Sequence, residues 1–272
     1  MGNNYLYHYT DLNAVLGIIG SDSKDLIFWG SRYDCMNDPF DYQYSKNLLL
    51  PPMLDAAEKV AKEGKDIPQD AFEKIVTEPY IVSFSKKKDD FLMWRMYNAQ
   101  VALILDKEYF DKPFPNYALI ECEYTDNTSN NICNSFSKIE GQIDDCLNIY
   151  ANTARAATFI KEKSFKEESE VRLATWNYYD PKGNKILLSD CKDDGGLIDE
   201  TIESRVNLNG KIILYRKFHV EKNALVGMII HTYSQFEYEI IKNALRTKLI
   251  SNSYSREVFE NIIPTRAYPF NL

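Results

Sequence analysis

Residues 79–97, PYIVSFSKKKDDFLMWRMY, constrain the fold more than any other stretch of this 272-residue chain. Tyr80, Ile81, Val82 and Phe84 are β-branched or aromatic and favour a short, well-buried strand. Ser83 and Ser85 stand two apart, so a strand turns both hydroxyls to one face. After the basic turn Lys86-Lys87-Lys88, Asp89 or Asp90 can cap a helix by accepting from a free first-turn amide. Apart from Arg95, that helix (Phe91, Leu92, Met93, Trp94, Met96, Tyr97) is apolar on almost every side, which predicts that protein surrounds it. Two hydroxyls at a strand end, facing an aromatic helix, make a floor for a polar ligand. The plainer alternative is a core strand–helix unit whose serines bond neighbouring backbone.

The flanking segments predict more short elements. Tyr5–Thr10 reads as a strand with Leu6, His8 and Thr10 on one face, and Asp11 caps a helix carrying Leu12, Val15, Leu16 and Ile19 that ends near Gly20. Leu26–Trp29 is a second strand, followed by loop chemistry from Gly30 to Phe40, where Asn37-Asp38-Pro39 favours a turn. Residues 51–78 read as a polar helical insertion, broken at Gly64 and Pro68. Val101–Leu105 and Tyr117–Tyr124 are further strands, and the Asn/Ser/Thr-rich residues 126–134 are a surface break. A long helix is predicted from Ser135 to about Lys163, then a half-buried strand over Ser169–Trp176. Asn209-Gly210 between strand-like flanks signals a hairpin. Leu225–His231 reads as a buried strand, Ser234–Leu249 as a helix, and Arg256–Phe270 as holding a last strand. Short strands, several hairpin-linked and mixed with helices, predict a single α+β domain over residues 1–272 rather than a doubly wound sheet.

Composition narrows the function classes. A formal charge of −8 argues against a surface built mainly to grip phosphate backbones, although Lys86–Lys88 is a local basic patch. The hydrophobic share of 44%, with nineteen tyrosines, is enough for a sizeable core with many half-wet rings. No apolar run approaches the roughly 20 residues of a membrane span, and MGNNY is not a signal peptide. Five scattered cysteines without a Cys-x-x-Cys fit reduced thiols, so a cytoplasmic protein without membrane contact is expected.

Two polar constellations carry chemistry. On a strand, Glu168, Glu170 and Arg172 share one face, where paired carboxylates can serve acid–base work or stabilise a developing positive charge. The competing expectation is a solvated strand edge with Glu170 paired to Arg172. His8, one of three histidines, can bond a ligand, act as a base, or satisfy its ring in the core. Histidine spacing does not suit a metal pair, and no metal is expected. The Gly-x-Ser-x-Gly elbow, the P-loop and Gly-x-Gly-x-x-Gly are absent from the sequence.

The ordered set Leu6-Tyr7-His8-Tyr9-Thr10, Asn37-Asp38-Pro39-Phe40, Ser83-Phe84-Ser85 with Leu92-Met93-Trp94 and Tyr97, Glu168-x-Glu170-x-Arg172, and the pair of elements from Val226 to Leu245 resembles the bacterial domain-of-unknown-function family numbered 2971. More distantly, a His-Tyr-Thr strand before a helix, a Ser-x-Ser strand and a late Glu-x-Glu strand resemble the ADP-ribosyltransferase superfamily. That resemblance implies a core of short, mostly antiparallel strands in two small sheets with flanking helices, and NAD bound in the cleft between them. It implies that His8 bonds a ribose hydroxyl, with Tyr9 and Thr10 beside it. Ser83 and Ser85 would brace the glutamate and the nicotinamide ribose. Glu170 would be the final catalytic glutamate and Glu168 its partner, which helps orient an acceptor. Trp94 or Tyr97 would stack on a base, and Arg32 would supply the arginine that Glu-x-Glu members carry on the first strand. Phe84 departs from the superfamily's central threonine.

The resemblance therefore implies an NAD-cleaving enzyme that passes ADP-ribose to an unknown acceptor (protein, nucleic acid or small molecule) or to water, in the setting of a bacterial toxin or phage-defence effector. Glu170→Gln is then expected to abolish turnover and leave folding largely intact. Two alternatives stay open: a non-catalytic nucleotide- or peptide-binding module, and a metal-dependent hydrolase or nuclease in which Asp38 or Asp41 joins Glu168 and Glu170.

Overall fold

The computed structural model describes residues 4–20, 24–36, 38, 41–51, 76–110, 117–125, 153–179, 201–206 and 210–266. In chain order the elements are β1 (Tyr5–Thr10), α1 (Leu12–Ile18), β2 (Asp25–Arg32), α2 (41–51), β3 (Val76–Ser85), α3 (Phe91–Met96), β4 (Val101–Asp106), β5 (Tyr117–Glu121), β6 (Glu123–Thr125) and α4 (153–157). They continue as β7 (Ile160–Glu162), a 3-10 segment (Lys163–Glu168), β8 (Glu170–Tyr179), β9 (Glu203–Val206), β10 (Ile212–Glu221), β11 (Leu225–Ile230), α5 (Gln235–Ser251), α6 (Arg256–Glu260) and β12 (Ile262–Pro264). This is a mixed helix-and-strand chain whose sheet is mostly antiparallel.

Local chemistry sets most boundaries. Asp11 accepts from Ala14 N at the start of α1, Asp90 from Leu92 N and Met93 N at the start of α3, and Ser234 from Glu237 N at the start of α5. Gly20, just past α1, has φ +53°, the left-handed conformation that glycine adopts at little cost. Gly210, with φ +75°, sits before β10, which pairs antiparallel with β9. No described helix is long and apolar enough to cross a membrane.

Ten strands join into one sheet in the order β12-β11-β4-β1-β3-β2-β10-β9, with β8 on β3 and β5 on β8; β6 and β7 form a separate parallel pair. Among the described residues the strands thus fall into one large branched sheet and one two-stranded pair where two small sheets were expected, and the ten-residue β3 is long enough to take several partners. One edge of β3 is taken by β8 along its whole length, from Val76↔Tyr179 to Ser85↔Glu170. The other edge is shared: β2 joins it at Ser31↔Ile81 and Arg32↔Tyr80, and β1 at Tyr7↔Ser85. Between these contacts the sheet splits at Val82–Phe84.

The main core lies on the face of Tyr80, Val82 and Phe84, where Val15 and Ile18 of α1, Tyr238, Leu245 and Leu249 of α5, and Val258 of α6 pack on Leu6, Leu103 and Leu173. On the opposite face, Met93 and Trp94 of α3 close over Tyr7, Tyr9 and Ile104. α3 therefore covers one face of the sheet and is not enclosed: Phe91 is 46% and Met96 44% exposed.

Other expectations need correcting too. Residues 76–78 belong to β3 and 160–162 to β7, so neither is helical. The strand expected over Tyr117–Tyr124 breaks at Cys122, whose N–H bonds Glu170 O, and the chain leaves β8 to pair with β7. Residues 52–75, 126–152 and 207–209 lie outside the described residues, and with them most of the helical insertion, the surface break, most of the long helix and Asn209.

The register of β2 on β10 leaves no room for a side chain at position 30. A Cβ on Gly30 would overlap the ring of buried Phe218. Gly30→Ala should therefore lower stability by about 1–3 kcal/mol through overpacking, read as a lower urea midpoint at unchanged slope.

Candidate functional site

The split in the sheet creates the site. β1 leaves β3 after Tyr7, and the next residue, His8, turns its ring into the gap between Phe28 (centroids 5.3 Å apart, edge-on) and Phe84 (5.6 Å). His8 Nδ1 lies 2.9 Å from the main-chain O of Ser83. A carbonyl can only accept, so Nδ1 carries the hydrogen and Nε2 is left as the ring's acceptor. Burial pushes the His8 pKa below its usual value, outweighing the Ser83 bond, so the ring is neutral at pH 7.

A cavity of about 310 Å³ opens at this gap. Its polar wall comes from His8, Thr10, Ser31, Ser83 and Arg205, and its rings include Tyr9, Trp29 and Tyr97. The Tyr9 hydroxyl donates to Lys87 O (2.7 Å) and accepts from Asp90 N (3.0 Å), which ties the basic turn after β3 to β1. Arg205 reaches in from β9 with its guanidinium over the Trp29 ring (5.0 Å) and near that of Tyr215 (6.0 Å). Its Nε is buried and has no hydrogen-bond partner among the described residues.

Behind Ser83 and Tyr97 lies a buried charge cluster. Lys161 Nζ, from β7, sits 2.6 Å from Glu168 Oε2, 2.9 Å from Glu170 Oε2 and 3.9 Å from Asp41 Oδ2. Arg172 grips Glu170 with two bonds, Nε to Oε1 at 2.9 Å and Nη2 to Oε2 at 3.0 Å. Its Nη1 donates to Thr158 O at 2.7 Å, and Nη2 also pairs with Asp41. Glu168 and Glu170 are each 3% exposed and Arg172 1%, so the solvated edge expected for this segment is overturned while the Glu170–Arg172 pairing stands. Burial raises the Glu170 carboxyl, but Arg172, Lys161 and the Ser83 hydroxyl outweigh it and bring its pKa down to about 2. For Glu168 burial wins over Lys161, and its pKa lies above the usual value.

The cluster meets the cavity through two hydroxyls. The Ser83 hydroxyl lies near enough to Glu170 to help lower its pKa, and the Tyr97 hydroxyl donates to Glu168 Oε2 at 3.4 Å. Ser85 is fully buried: its hydroxyl donates to Glu168 O (2.7 Å) and accepts from Lys87 N (3.0 Å). It bonds backbone, as the plainer sequence reading had it. Glu168 itself is not on the strand. It closes the 3-10 segment, and Ser169, in a left-handed conformation (φ 47°, ψ 47°), turns the chain into β8.

Of the residues singled out in the sequence, His8, Tyr9, Thr10, Ser83 and Tyr97 meet at the cavity, with Ser85, Glu168 and Glu170 behind its wall. Two are held elsewhere. Arg32 forks onto Asp34 (2.7 and 2.8 Å) and reaches Glu78 at 3.0 Å. Trp94 is buried under α3, donating to Asp89 (2.9 Å) and stacking on His231 (5.2 Å). Asp41, considered only as a metal ligand, joins the carboxylates, but the ammonium of Lys161 stands among them. Lys161, Arg205 and Trp29 escaped the sequence reading. Lys161 fell inside a segment expected to be helical, and Arg205 beside a hairpin signal that marks turns, not ligands.

Compared with known proteins, the chain matches no protein-family model, no curated protein and no solved structure.

Proposed function

We propose that this cleft binds NAD and that the chain is an ADP-ribosyltransferase-like enzyme, cleaving the nicotinamide–ribose bond and passing ADP-ribose to a macromolecular acceptor or to water. The observation that carries this reading is the geometry at the gap: His8, with Nδ1 on Ser83 O and Nε2 left as acceptor, shares the cavity with Ser83 and with Tyr97, whose hydroxyl reaches the Glu168–Glu170 cluster behind the wall. A ribose hydroxyl can donate to Nε2, and the ring of Tyr97 offers a face to the nicotinamide. As the bond breaks, the ribose gains oxocarbenium character, which a nearby carboxylate stabilises more than the ground state. A pKa near 2 keeps Glu170 ionised at any working pH, which suits an electrostatic role and not proton transfer. With all groups ionised, three carboxylates face two cations, so the cluster behind Ser83 and Tyr97 keeps an excess negative charge. A conflict role, as toxin or phage-defence effector, belongs to this same reading.

One observation favours a second reading, a nucleotide-binding module without turnover. Both Glu170 oxygens are already engaged, by Arg172 and Lys161. The deciding measurement is nicotinamide release from NAD by wild type and His8→Phe, with and without cell lysate as acceptor. Phenylalanine keeps the ring beside Phe28 and Phe84 but removes Nε2 together with the Nδ1 bond to Ser83 O, so KM for NAD should rise at least about 5- to 10-fold, the worth of one neutral hydrogen bond. Absence of release from the wild type under every condition would leave the binding module standing.

A further inference from the structure

We propose that Arg205 makes this cavity a phosphate-binding subsite, so that its ligand carries a phosphate or pyrophosphate group. The location rests on the cleft reading above; with NAD as the ligand, the group is its pyrophosphate. A guanidinium stays charged at every accessible pH and presents a planar fork of donors that matches phosphate oxygens. Elsewhere in this acidic chain, Arg32, Arg172 and Arg256 each hold a carboxylate. Arg205 holds none among the described residues; it lies over Trp29 and Tyr215, and its buried Nε–H lacks an acceptor there. With its face toward two rings, the edge of the fork is what remains for an anion. The Trp29 ring is braced in turn by Gly17 of α1, where a Cβ would come within 3.2 Å of it. Although the chain carries a net charge of −8, the described residues of the cavity lining include no carboxylate. Thr10, Ser31 and Ser83 add hydroxyls to the same wall.

The test follows the Arg205 Nε–H resonance in ¹H–¹⁵N spectra of the full chain and measures affinities by calorimetry, for wild type, Arg205→Gln and Arg205→Lys. The probes are inorganic pyrophosphate, ADP, NAD, nicotinamide riboside and succinate. Pyrophosphate, ADP and NAD should shift the resonance and bind more weakly as salt rises. Arg205→Gln should weaken each by about 10- to 100-fold, with Arg205→Lys in between, and leave nicotinamide riboside, which has no phosphate, unchanged. Pyrophosphate and ADP binding through Arg205 without any nicotinamide riboside binding would keep the phosphate subsite and remove NAD as its ligand. The proposal is overturned if no phosphorylated probe moves the resonance, if succinate moves it more than pyrophosphate does, or if folded Arg205→Gln binds pyrophosphate and ADP as wild type does.

Discussion

Glu170→Gln is expected to abolish nicotinamide release and also to lower stability by about 3 kcal/mol, the free-energy equivalent of moving a carboxyl pKa from 4.5 to about 2. The second half reverses the sequence-based expectation that folding would be largely intact. Glutamine keeps the shape but removes the charge that holds Arg172 and Lys161 in a buried site, and breaking such a pair from one side is strongly destabilising. Activity should therefore be measured well below the melting temperature of the variant, with near-ultraviolet circular dichroism showing that it is folded. Folded variant with wild-type turnover would remove Glu170 as the catalytic glutamate and sink the ADP-ribosyltransferase-like assignment built on it. NAD binding by both wild type and variant, with no nicotinamide release from the wild type, would establish the binding module.

The same shift predicts the acid limb of wild-type stability. The contribution of Glu170 is fully present above its unfolded value near 4.5 and is lost as pH falls toward about 2. Glu168 works in the opposite sense: its folded pKa is raised, so mild acidification protonates it in the folded state first and favours the fold. Wild-type stability should therefore hold through mildly acidic pH and fall steeply below about 4. The Glu170→Gln variant should show a flatter acid limb in urea titrations across that range.

Lys161→Met has the other large expected effect, a loss of about 3–5 kcal/mol at pH 7. Without the ammonium, Glu168, Glu170 and Asp41 face one another with only Arg172 to balance them. Their repulsion should raise the already high Glu168 pKa further, so lowering the pH from 7 to 5 should restore part of the loss as Glu168 takes up a proton. Urea midpoints of wild type and variant at both pH values measure this. A deficit that is the same at pH 5 as at pH 7 would show that Lys161 is not the counter-ion of these carboxylates. Magnesium or calcium should stabilise the variant more than the wild type, because a hard divalent cation can take the place the ammonium vacates among three carboxylates.

Much of the local structure was legible in the residues. The Tyr80–Phe84 strand, the Asp90 cap, the antiparallel pairing of β9 with β10 and the helix behind Ser234 rest on propensity, periodicity and capping chemistry, which act within a few positions of each other. The residues that meet at the cavity from β1 and β3 were singled out by resemblance as well as by their chemistry. The segment 168–172 was recognised as polar and paired, but as a solvated edge, because a strand pattern does not say what covers it.

What only the tertiary structure decided are the long-range choices. That β3 gives one edge to both β1 and β2, and so opens a gap at Ser83, depends on which strand edges are free after folding, and no local pattern encodes that. The Asp41–Arg172 pair joins residues 131 positions apart, and Arg205 comes to the cavity from a strand far from His8 in sequence. Charges separated so widely along a chain acquire meaning only when burial removes the water between them and lowers the local dielectric. The sequence by itself determined the short elements and the side chains that could do chemistry. The branching of the sheet determined which of them met.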